Sequence, residues 1–107
     1  MDLIEYNELG FLAAGRARLV ASRSFQVRIT GWRARTLLRG LKGREKPAAG
    51  PARQIALHEL PLAAGVMGVA PLFALAVLAK GLGWSFRSEL DRARREVVVE
   101  FCSPLSR

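Results

Sequence analysis

Residues 15–31, GRARLVASRSFQVRITG, alternate in polarity with a period of two. Ala17, Leu19 and Ala21 are interleaved with Arg16, Arg18 and Val20; Phe25, Val27 and Ile29 are interleaved with Gln26, Arg28 and Thr30. Successive strand residues point to opposite faces, so the pattern predicts a β-hairpin turning near Ser22 and Arg23. One face would be apolar and the other would carry Arg16, Arg18 and Arg28, with Val20 the one interruption.

The period then lengthens. Over TGWRARTLLRGLKG, at about 100° per residue, Ala34, Leu37, Leu38 and Leu41 gather on one side, with Arg35, Arg39 and Lys42 opposite. This predicts an amphipathic helix from about Trp32 to Leu41, capped by Thr30. GREKPAAGPA, residues 43–52, has the proline and small-residue content of a flexible loop, and RQIALHEL, residues 53–60, leans towards a strand.

LPLAAGVMGVAPLFALAVLA, residues 60–79, holds twenty consecutive uncharged residues, the length a bilayer-spanning helix needs. Gly65, Gly68, Pro61 and Pro71 oppose one continuous helix. Proline suits the first position of a helix, so the pattern predicts a short apolar helix from about Ala70 to Leu82, opened by Pro71 and stopped by Gly81 and Gly83. The segment before it reads as a strand or a turn-rich lead-in. Burial in a soluble core is the preferred account; burial between subunits and a membrane span at 60–79 are the alternatives.

Two strands close the chain. Trp84, Phe86 and Leu90 share one face of the first, and Val97, Val99 and Phe101 share one face of the second. Asp91–Arg95 turn between them, and Pro104 ends the ordered part. Together the elements predict an α+β fold in a single domain over residues 1–107: an antiparallel sheet of about four strands from two hairpins, with two helices packed on one face.

Charge narrows the partners. The net charge is +8, and residues 1–9 contain three acids and no base, residues 10–54 eleven bases and one acid, and residues 55–107 six bases and five acids. The net positive charge is thus concentrated in one stretch, which suits nucleic acid, an acidic protein or an anionic membrane surface. Gly40-Leu-Lys-Gly43 has the GxxG spacing by which a KH-type domain clamps a nucleic-acid backbone. Pro47 and Pro51 follow where that domain needs a helix, so a helix C-cap is the simpler account.

Enzyme chemistry is not expected. His58 is the sole histidine and Cys102 the sole cysteine, which removes two-histidine acid/base pairs, multi-histidine metal sites and intramolecular disulfides. A buried, inert thiol is expected at Cys102. No catalytic residue, metal or cofactor is expected, and a reducing, cytoplasmic location follows most simply. The acidic start lacks the basic and apolar regions of a secretory signal.

The leading expectation is a small non-catalytic nucleic-acid-binding or ribonucleoprotein subunit. Arg16, Arg18, Arg28, Arg35, Arg39, Lys42, Arg44 and Lys46 would meet phosphates, with Trp32 stacking a base. A subunit of a larger complex or homo-oligomer, binding an acidic partner or burying residues 70–82 against another chain, is the alternative, and a membrane-anchored subunit the third.

Overall fold

The computed structural model describes residues 2–6, 10–44, 46–47, 53–55 and 66–106. The chain forms β1 (Leu3–Glu5), α1 (Phe11–Ala21), β2 (Ser24–Ile29), α2 (Gly31–Gly40), β3 (Lys46–Pro47), β4 (Arg53–Ile55), α3 (Val66–Gly81), β5 (Ser85–Asp91) and β6 (Glu96–Cys102), followed by a 3-10 turn at Pro104–Ser106. The fold is α+β. Its sheet runs β1-β2-β6-β5-β4-β3 and is mixed, because β1 pairs with β2 in parallel while every other pair is antiparallel.

Three cross-strand rows on the central strands make the floor of the core. Phe25, Phe101 and Phe86 stand in register; Val27, Val99 and Ser88 form the second row, and Ile29, Val97 and Leu90 the third. Phe25 stacks on Phe101 with ring centroids 4.7 Å apart, and Phe86 meets Phe101 edge-on at 5.2 Å. Such aromatic geometry adds roughly 0.5–1.5 kcal/mol per pair beyond the area buried. The helices cover these rows with Phe11 and Leu19 from α1, Ala34, Leu37 and Leu38 from α2, and Val69, Leu72, Leu75, Ala76 and Ala79 from α3, all in one buried cluster. The opposite sheet face is polar: Glu5 pairs with Arg28, Gln26 donates to Glu100 at 3.3 Å, and Arg87 meets Glu89 at 2.7 Å.

The N-terminal hairpin expected over residues 15–31 does not form; its first arm lies in α1. Phe11, Gly15 and Leu19 are the buried residues, at i, i+4 and i+8, so the helical period starts upstream of the window in which residues happen to alternate. The topology agrees, since parallel neighbours β1 and β2 need a crossover of about a dozen residues, which α1 supplies. The strand β1 had no counterpart in the expected elements, although Ile4 and Tyr6 are buried on alternate positions.

Pro71 lies inside α3, which begins at Val66 rather than at the proline. Its ring removes the N–H that would bond the Met67 carbonyl, a local cost of about 3 kcal/mol. Burial of Val69, Leu72 and Leu75, at about 1.5–3 kcal/mol for each fully buried side chain, offsets it. The far end follows the expectation closely: Gly83, at φ +83°, bonds the Lys80 carbonyl, and the Trp84 N–H reaches Ala79 at 3.0 Å, a Schellman closure. Among the described residues no helix is long and apolar enough to cross a membrane.

Three expectations meet the structure in part. Thr30 occupies the N-cap position of α2, but its side chain makes no capping hydrogen bond. Strand pairing is present at Lys46–Pro47 and Arg53–Ile55, within the expected loop and strand; the remainder of residues 45–65, including His58, lies outside the described residues. Cys102 is half-buried rather than buried, its thiol 3.6 Å from a Glu100 carboxylate oxygen.

Tyr6, the one tyrosine of the chain, is buried against Phe11 with centroids 4.8 Å apart. Burial pushes its hydroxyl above the ordinary value of 10.0, only partly countered by the Leu72 backbone and the Arg33 charge. The unfolded tyrosine therefore loses its proton first. The stability tied to this group is fully present below pH 10 and is lost as pH rises through the folded value. Urea unfolding across an alkaline series is expected to show a steeper loss of stability in the wild type than in Tyr6→Phe; parallel slopes would contradict it.

Candidate nucleic-acid interface

Helix α2 separates its residues cleanly. Ala34, Leu37 and Leu38 go to the core with Leu41 just beyond them, so Trp32, Arg35 and Arg39 are driven outward. Lys42, three positions on in the turn after the helix, is also exposed. Trp32, Arg35, Arg39 and Lys42 are spaced three, four and three residues apart. They form one stripe about 15 Å long at 1.5 Å of rise per residue.

Trp32 keeps 55% of its surface exposed. The Arg33 guanidinium sits 4.6 Å from the indole centroid and 5.8 Å from that of Tyr6, bridging an exposed ring and a buried one. The Thr36 hydroxyl donates to the Trp32 carbonyl at 2.8 Å, closing the first turn beneath the ring. Arg33 thereby engages one face of the indole.

No Asp or Glu occurs between Gly10 and Arg44. Among the described residues, no ion pair involves Arg35, Arg39, Lys42 or Arg44. The turn after α2 keeps these cations together: Gly43 takes φ +85°, and the Arg44 N–H donates to the Leu41 carbonyl at 2.8 Å. Gly40–Gly43 is thus the end of a helix, with Leu41 at the C-cap. Cations at that end also favour the helix through its dipole, by about 0.3–1 kcal/mol each.

The residues expected on the hairpin face are not brought together. Arg18 pairs with Asp2 at 3.2 Å, and the Ser22 hydroxyl donates to the same carboxylate. Arg28 is held by Glu5, whose hydrogen bond and charge raise the guanidinium above its usual value. Arg16 lies apart, on the rim of a groove between α1 and α3 lined by Ala17, Val20, Val77, Leu78 and Leu82. The Lys46 backbone belongs to β3; its side chain lies outside the described ones.

Three further arginines lie on the β5–β6 turn, which sequence patterning treated only as a turn and which the fold docks at the end of α2. The Arg92 guanidinium donates to the Leu38 carbonyl at 3.0 Å, which docks the β5–β6 turn against the end of α2. Arg94 and Arg95 are exposed on the same turn. Asp91 accepts from the Arg94 backbone N–H at 3.1 Å and lies 3.9 Å from its side chain. Arg95 has φ +55°, a left-handed conformation that costs a side-chain-bearing residue roughly 1–2 kcal/mol and that glycine adopts freely. The run Asp-Arg-Ala-Arg-Arg was the available signal, but its neighbour 54 residues away was not.

Among the described residues, no group of three or more His, Cys, Asp or Glu side chains is placed to hold a metal ion. The exposed side of α2 is a linear array of cations ending in one aromatic ring. Compared with protein-family models, curated proteins and solved structures, the chain matches none.

Proposed function

We propose that this protein is a non-catalytic nucleic-acid-binding subunit whose α2 stripe follows a phosphate backbone. The observation that carries the proposal is the carboxylate-free line Trp32, Arg35, Arg39 and Lys42, followed by Arg44, with the arginine-bearing β5–β6 turn docked at the end of α2. Phosphate contacts by such cations release condensed counterions, so affinity falls steeply with salt. Arg16, Arg18 and Arg28 play no part in this interface. A cytoplasmic site of action belongs to the same proposal, supported by the single cysteine.

Filter binding or electrophoretic shift across a salt series tests it. The slope of log affinity against log salt is expected near −0.7 to −0.9 for each phosphate neutralised, hence about −2 to −3 for three contacts. Arg39→Gln is expected to make that slope shallower by about one contact, while Arg87→Gln on the paired sheet face leaves it unchanged. Protein purified free of nucleic acid and indifferent to RNA and DNA at low salt would refute the proposal.

A second proposal rests on a different surface. Phe73, Val77, Leu78 and Leu82 of the α3 region, together with Val20 of α1, are exposed large apolar side chains, with Val20 at 88%. Contiguous apolar surface of this kind marks association sites, which supports an assembly subunit burying α3 against another chain. Light scattering would show a dimer or larger species, and Val20→Glu with Leu78→Glu would return it to monomer. A monomer at high concentration counts against this role.

A further inference from the structure

We infer that the nucleic acid held by α2 is single-stranded, with one unpaired base stacked on Trp32 and the backbone running along Arg35, Arg39 and Lys42 to the arginine tip of the β5–β6 turn. This rests on the proposed function and names its ligand. Three observations support it.

The indole is presented rather than packed away. Arg33 occupies one ring face at 4.6 Å, and the ring remains more than half exposed, a platform for a flat partner. Bases in a duplex are already stacked on both sides, whereas an unpaired base has a free π-face.

The cations form a single file. The opposite side of α2 is sunk in the core through Ala34, Leu37 and Leu38, and Arg33 is folded onto the indole, so Arg35, Arg39 and Lys42 are the line of charge left to a ligand. A helix seated in a major groove about 12 Å wide meets phosphates of both strands on its two sides. One file of cations matches one backbone.

The file is prolonged by a separate element. Arg92 bonds the Leu38 carbonyl, which brings the turn carrying the exposed Arg94 and Arg95 against the last turn of α2. Arg95 stands at φ +55°, where glycine would be relaxed, so the turn holds an exposed cation at a cost in backbone strain.

The test uses a short oligo(dT) and a mixed-sequence duplex of equal length, at matched salt. The protein has two tryptophans, and Trp84 is buried, so Trp84→Phe leaves Trp32 as the fluorescent reporter. Anisotropy of labelled oligonucleotide on the wild type supplies the same comparison should Trp84→Phe not fold.

Oligo(dT) is expected to quench Trp32 and to bind at least about tenfold more tightly than the duplex. Trp32→Ala should weaken oligo(dT) about 5- to 100-fold, with Trp32→Phe staying within a few-fold of wild type. Arg95→Gly should raise thermal stability yet weaken oligo(dT), opposite signs that a merely structural arginine would not give. Duplex binding as tight as oligo(dT), or an unchanged affinity in Trp32→Ala, overturns the inference while leaving phosphate binding standing. Binding of neither probe at low salt overturns both.

Discussion

Phe101→Ala is expected to destabilise the protein by about 3–5 kcal/mol, the usual range for emptying a large aromatic site in a core. The side chain is fully buried at the middle of the aromatic row, stacked on Phe25 and met edge-on by Phe86. Its loss removes the transfer energy of the ring, leaves a cavity under the helices and deprives both neighbours of their partner. Trp84 does not fill the gap, because it contacts the far side of the row through Phe25, with centroids 5.6 Å apart. Against a total stability of about 5–15 kcal/mol for a typical domain, the loss is a large share. Urea unfolding should show a markedly lower midpoint at an unchanged slope. A change below about 1 kcal/mol would mean that the rows on β2, β5 and β6 are not the core.

Gly15→Leu is expected to cost about 3 kcal/mol or more, from the opposite fault. A Cβ at residue 15 would lie 2.5 Å from one Leu75 methyl carbon and 2.9 Å from the other, so α1 and α3 touch where no side chain intervenes. A single methyl already requires Leu75 to move, and a full leucine drives the helices apart, which costs typically 1–3 kcal/mol and occasionally more. Gly15→Ala is the informative control, because its gain in helix propensity of about 1 kcal/mol is set against that displacement. Combining Gly15→Leu with Leu75→Ala returns much of the lost volume. The double variant should therefore be more stable than the sum of the two single effects allows. Strict additivity in thermal unfolding would show that the two positions do not meet.

The elements legible in the sequence are those whose pattern is complete within their own length. Helix α2 sorts Ala34, Leu37 and Leu38 from Arg35 and Arg39 with no exception, and β5 and β6 alternate from Phe86 to Phe101. Helix α1 was obscured because residues 16–21 also alternate by chance, and its decisive residue is a glycine whose reason, Leu75, lies on another helix. Strand β1 is three residues long and draws its order from a parallel neighbour, which no local period records. Pro71 follows a general rule for helix starts that the packing of Val69 and Leu72 overrides.

The candidate interface divides along the same line. The α2 stripe is a property of one helix and could be read directly. Whether an arginine stays available depends on which carboxylate the fold brings to it: Asp2 and Glu5, from the acidic start of the chain, take Arg18 and Arg28 out of the basic surface. The β5–β6 arginines enter it through one backbone carbonyl at Leu38.

The order of strands has a consequence for how the molecule comes into being. β6 lies between β2 and β5, so a growing polypeptide can assemble neither half of the sheet onto the other until residues 96–102 have left the ribosome. Until then β2 keeps an open edge and the apolar α3 has no floor beneath it. A nascent chain stalled before Glu96 is therefore expected to be a substrate for chaperones and proteases, and release of the last strand is the step that rescues it.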